Sequence, residues 1–133
     1  MITVIETGIL EMRADTVSDE ILEGHFRAME AWAANNTEPV GFLVTLAAVL
    51  EMSAAQRRRF ADFQVRMQEH DRRLTVGVAL CAPNAIVRGF VTAVYWLKSP
   101  VYPHRFVQSR AEGLQWLREQ LAKPERRPSS APP

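Results

Sequence analysis

The chain has 133 residues, 47% hydrophobic and 23% charged, with 16 Lys+Arg against 15 Asp+Glu and one cysteine. That composition predicts one soluble globular domain, long enough to bury roughly two-thirds of its unfolded surface without metals or cross-links. The net charge of +1 excludes a global field for nucleic acid or acidic lipid, the lone cysteine excludes an internal disulfide, and no apolar run reaches the roughly 18 residues of a bilayer span.

The opening MITVIETG lacks the basic and long apolar regions of a secretory signal, so a cytoplasmic location without membrane insertion is expected. Ile2 to Glu6 and Ile9 to Arg13 are β-prone runs around Thr7 and Gly8, a hairpin in which glycine supplies the unusual torsion. Ser18 is the expected N-cap of a helix to about Asn35, with Asp19, Glu20 and Glu23 complementing the positive end of its dipole. Leu22, Phe26, Met29 and Ala33 give it one apolar face, and Asn35, Asn36 and Pro39 end it.

Val40 to Ala47 and Leu74 to Cys81 are apolar at alternate and intervening positions alike, the mark of strands covered on both faces. Between them Phe60, Phe63 and Met67 make an apolar stripe, which predicts a crossover helix and a parallel sheet. Arg57, Arg58 and Arg59 stand about 100° apart on that helix, and with Asp62, Glu69 and Asp71 they read as a solvated face, not a nucleic-acid footprint. Pro83 permits a third helix with its body from Ile86 to Leu97, ended by Ser99-Pro100 and Tyr102-Pro103. Arg105 to Gln108 is a short last strand. Ser109 and Glu112 form an S-x-x-E capping box for a final helix striped by Leu114, Leu117 and Leu121. The Pro-rich end, residues 123–133, has no apolar periodicity and is expected to be disordered.

The order ββαβαβαβα, one α/β domain over residues 1–122 with a mixed, mostly parallel sheet of about five strands and four helices, resembles the STAS domain. The phrases RGFVTAVYWLKSP and HRFVQSRAEGLQWLREQL resemble the closing half of its small SpoIIAA-like branch. That resemblance implies a non-catalytic module engaged by a signalling partner. STAS antagonists carry D-L-S-x-V-x-x-x-D-S-S/T-G, and Leu46 and Val49 agree with it. Thr45, Ala47, Ser53, Ala54 and Gln56 depart from it at every polar position, and Ala54, in the acceptor's place, has no hydroxyl to phosphorylate. Phosphorylation of the neighbouring Ser53 is the alternative to its reading as a structural cap, since Ser53 and Gln56 form S-x-x-Q at a helix start.

Cys81 ends an inferred strand where open α/β sheets bind ligands, but His104 begins the next strand, so four residues at about 3.3 Å separate any dyad. Cys81 is therefore expected to be buried and inert. His25, His70 and His104 lie in three elements without ligand spacing, so no metal is expected, and His25 reads as a hydrogen-bonded boundary residue. There is no Gly-rich phosphate loop and no nucleophile elbow, and neither a cofactor nor an enzyme is implied.

The third helix is apolar almost all round: Ile86, Phe90, Val94 and Leu97 form a stripe that Val87, Val91, Ala93, Tyr95 and Trp96 widen. Arg88, Thr92, Tyr95 and Trp96 are expected on its outer side, with Tyr102 extending the patch through the KSPVYPHRF loop. The expectation is docking there, as a homodimer or with a regulatory protein, because Arg, Tyr and Trp carry much interface energy. The alternative is small apolar ligand or lipid binding in a cleft, which resemblance to CRAL-TRIO domains makes conceivable.

Overall fold

The computed structural model describes residues 2–14, 18–47 and 52–123. Strands β1 (Ile2–Glu6) and β2 (Ile9–Ala14) form the hairpin, followed by α1 (Asp19–Asn35), β3 (Val40–Leu46), α2 (Ala54–Leu74), β4 (Thr75–Cys81), α3 (Ala85–Leu97), β5 (His104–Val107) and α4 (Arg110–Ala122). The expected α/β architecture, ββαβαβαβα with four helices and a mixed sheet, is the observed one. The strands lie side by side in chain order, β1 antiparallel to β2 and the rest parallel. Gly8 takes φ 83° in the two-residue turn, where a side chain would be strained. No helix among the described residues is long and apolar enough to cross a membrane. The expected disorder of 123–133 falls outside the described residues except at Lys123, which caps α4 by donating its N–H to the Gln120 carbonyl.

Strand alternation sorts the core into two layers. Val40, Phe42, Val78 and Leu80 point to the face covered by α1, α2 and α3, whereas Leu43 and Ala79 point to the face covered by α4. The two faces are packed very differently. Helix α4 lies flush, because small residues meet at the contact: a Cβ on Gly113 would stand 2.7 Å from Leu43 Cδ1, and one on Gly41 would stand 2.9 Å from Leu117 Cδ2. Two forked ion pairs anchor it to the hairpin, Arg110 to Glu11 at 3.2 Å and Arg118 to Glu6 at 2.7 Å.

On the opposite face large side chains hold the helices to one another. Phe26 of α1 stacks on Phe63 of α2 with ring centres 4.4 Å apart and meets Phe60 edge-on at 5.1 Å. The Arg66 guanidinium lies over both Phe26 and Phe63 while pairing with Glu30 at 3.2 Å. Arg57, Arg58 and Arg59 diverge to the Met52 carbonyl, to Asp62, and to Asp19 with Glu23 respectively. Asp71, grouped with those charges as solvated, is instead 6% exposed. It follows Met67 by four residues and so continues the buried stripe.

Candidate functional site

A cavity of about 530 Å³ opens between the sheet and the three helices of the phenylalanine-braced face. Its floor comes from the inward strand positions Phe42, Val44, Val78 and Leu80, and its roof from Leu22, Phe63, Met67, Val91 and Val94. Four of the chain's 5 methionines, Met12, Met29, Met52 and Met67, line it. Their unbranched thioethers let a wall adapt to different shapes. The more exposed lining residues, Ile21, Gly24 and Ala28 of α1 with Ile2 and Met12 of the hairpin, mark its open side.

One part of this apolar space is polar. The Tyr102 hydroxyl, on the segment before β5, donates to Gln64 Oε1 at 3.2 Å and lies 3.0 Å from the Tyr95 hydroxyl of α3. Burial pushes the Tyr95 phenol up to about 12, an effect partly offset by its bond to Tyr102 and reinforced by Asp71; burial likewise raises Tyr102 well above 10. Both phenols are protonated donors at neutral pH.

Asp71 and Thr75 complete the wall. Thr75 Oγ1 donates to Asp71 Oδ1 at 2.7 Å, and His70 Nδ1 lies 3.4 Å from the same oxygen. Asn36 fixes the ring's proton. Its Nδ2 donates to the Glu38 carbonyl and its Oδ1 accepts from the Glu38 N–H, so Nδ2 also faces His70 Nε2 as a donor, at 3.0 Å. His70 Nε2 is then an acceptor, which places the ring proton on Nδ1, toward Asp71.

The structure divides the residues expected in one docking patch. Arg88 and Trp96 face outward, Trp96 at 84% exposure, and Thr92 is half-buried. Tyr95 and Tyr102 turn inward to the cavity, Tyr102 at only 8% exposure. They do not extend the outer patch. The phase of α3 also differs from the expected stripe: Val87 and Val94 are its buried residues, while Ile86 and Leu97 stand exposed. A helix with little polar surface gives no charge pattern to fix which side faces the sheet.

Ser53 caps α2. Its Oγ accepts from the Gln56 N–H at 3.1 Å, and its own N–H donates to Gln56 Oε1 at 3.0 Å. Cys81 is half-buried and pairs in register with Val107, whereas His104 pairs with Val78 at the other end of the short strand. His25 is half-buried, the boundary position expected of it, and lies on the cavity wall beside the Phe26 and Phe63 rings. No sequence motif marks Gln64, Asp71 or Thr75 as site residues, although Gln64 follows Phe60 by four positions and thereby carries a signal of burial. No protein-family model, curated protein or solved structure matches this chain.

Proposed function

We propose that this protein is a non-catalytic binder of a small, predominantly apolar molecule held between the sheet and α1, α2 and α3. The observation that carries the reading is the apolar cavity of about 530 Å³, within the range of roughly 300–1,000 Å³ usual for ligand pockets. An apolar space of that size left empty forfeits dispersion contacts along its lining, and a matching guest restores them. Titration with N-phenylnaphthylamine, a neutral dye that brightens in apolar surroundings, tests it. Saturable binding at one dye per chain is expected; the absence of saturable binding overturns the reading.

A second reading rests on α3. Ile86 at 72%, Trp96 at 84% and Leu97 at 48% exposure share its outer side with Phe90 and Ala93, an apolar face suited to a second copy of the chain packed about a two-fold axis. The resemblance to STAS antagonists favours such a protein contact in the cytoplasm. Light scattering on the wild type and Trp96→Ala is expected to show a dimer that the substitution weakens. A monomer in both removes this reading.

A further inference from the structure

We infer that His25 makes the cavity's hold on an uncharged apolar guest depend on pH: the guest is held while the imidazole is neutral and released when the ring takes up a proton. The inference rests on the cavity being a ligand site and adds how that site is regulated. It follows from where α1 places the ring. Ile21, Leu22, Ala28 and Met29, three and four positions to either side of His25, all line the cavity, so the cavity side of α1 is centred on His25. Among the described residues it is the one ionisable side chain that α1 contributes to the lining. Leu22 and Met29 are buried, Ile21 and Ala28 are exposed, and His25 is half-buried between them, where the apolar interior meets the open side.

The surroundings of the ring favour its neutral form. Its neighbours are the rings of Phe26 and Phe63, with centres 6.2 and 6.5 Å away, and among the described residues it makes no hydrogen bond or ion pair. The charged groups nearby are cationic or already engaged. Asp19 and Glu23 pair with Arg59, and Glu30 pairs with Arg66, whose guanidinium lies over the same two phenylalanine rings. Glu20 and Arg27 stand on other sides of α1. Asp71 of α2 receives Thr75 and His70, and Tyr95 and Tyr102 are protonated phenols bonded to each other. Arg13 of β2 lines the cavity as an exposed cation, and the facing positions of β3, β4 and α3 are otherwise apolar. No carboxylate is thus paired with the ring to stabilise an imidazolium. Burial first, and after it the charge of the amino terminus, holds the pKa of His25 below the ordinary imidazole value of about 6.5.

With the cavity empty, water enters from the open side and can hydrate an imidazolium, which donates from both nitrogens. An uncharged apolar guest excludes that water and offers no acceptor, so it binds the neutral form in preference to the charged one. Guest and proton therefore oppose each other. As pH falls through the pKa of the free protein, affinity is lost by up to about tenfold for each unit by which the guest lowers that pKa.

The test is titration of the full chain with N-phenylnaphthylamine, which is uncharged throughout the range, at about pH 7.5 and about pH 5.5, with circular dichroism confirming the native fold at both. The wild type is expected to bind the dye about threefold or more weakly at the lower pH. His25→Gln and His25→Leu are each expected to bind it equally at the two values. His104→Gln, which removes a ring 4.8 Å from that of Tyr95, is expected to keep the dependence. The reciprocal effect is read on the wild type alone: saturating dye is expected to move the titration of one histidine ring, followed by proton NMR, to lower pH. Affinity that is level or rises on acidification overturns the inference, and so does a dependence that persists without His25; in either case the dye still binds and the cavity reading survives. A wild type that binds no dye at either pH overturns both. The wild-type titration and its NMR counterpart decide even where a variant fails to fold.

Discussion

The hydroxyls of Tyr95 and Tyr102 meet at 3.0 Å inside the molecule, and these are the chain's only tyrosines, 2 in all. Every phenol in the protein therefore reports on one wall of the cavity. Burial raises Tyr95 to about 12 and Tyr102 well above 10. Above about pH 10 the unfolded chain releases phenol protons that the folded chain retains, so stability is level below that value and falls as pH rises toward 12. Tyrosinate absorbance is expected to stay flat past pH 10 and to rise only with loss of the native circular dichroism. A midpoint near 10 in a chain that is still folded would contradict the inward placement.

At the acid end the sign reverses. Burial lowers the pKa of His25, and it lowers that of His104 as well. Below about pH 6.5 the unfolded chain takes up protons that the folded chain resists, so stability falls as pH falls. Urea unfolding between about pH 7.5 and pH 5.5 measures the slope. His25→Gln is expected to flatten it in part, with His104 supplying the remainder. An unchanged slope in His25→Gln would mean that the ring is hydrated in the native state.

Ser53 has a role that its local geometry defines. The reciprocal bonds with Gln56 satisfy backbone donors at the start of α2, and Gln56 Nε2 also reaches Asp19 Oδ1 at 3.2 Å, linking the first turns of α1 and α2. Ser53→Ala is expected to cost about 1 kcal/mol, while Ser53→Asp, another good cap with charge suited to a helix N-terminus, retains most of the stability. Urea midpoints compare the two. No loss in Ser53→Ala would show that the cap contributes nothing and would return Ser53 to consideration as a modified residue.

Much of the fold was legible because its signals are local. The apolar runs at Val40 and Leu74, the caps at Ser18 and Ser53, and Gly8 in its turn each depend on a few neighbouring residues. Small boundary differences, such as β5 at His104–Val107 instead of Arg105–Gln108, follow from pairing with β4. The capping box of α4 is shifted as well: Ser109 Oγ accepts from the Glu112 N–H, but the Glu112 carboxylate reaches back to the Gln108 N–H. The cavity left no comparable mark. Its volume depends on how far Phe26, Phe60 and Phe63 hold α1 and α2 from the strands, a distance set by tertiary packing. The orientation of Tyr95 was equally hidden, since α3 is apolar on nearly every side.

Glycine substitutions separate the two faces of the sheet and test the cavity independently of any ligand chemistry. A methyl on Gly113 would enter the space of Leu43 Cδ1 at 2.7 Å and approach Ala79 Cβ at 3.3 Å. Gly113→Ala is therefore expected to destabilise by about 1–3 kcal/mol, because α4 has no room to retreat without breaking its contacts with the sheet. Among the described residues, a Cβ on Gly24 or Gly89 meets nothing within 4 Å. Both glycines lie inside helices, so Gly24→Leu and Gly89→Leu each remove a backbone penalty of roughly 0.8–1.0 kcal/mol. Their effects on binding are expected to differ. Gly24 lines the cavity on its open side, so a leucine there occupies the guest's space and is expected to weaken N-phenylnaphthylamine binding about tenfold or more. Gly89 is exposed on α3, so its leucine gives the same helix gain with unchanged dye affinity. Calorimetric unfolding and dye titration on the pair separate propensity from occupancy. Equal dye affinity in both variants would place the bound dye somewhere other than between the sheet and α1.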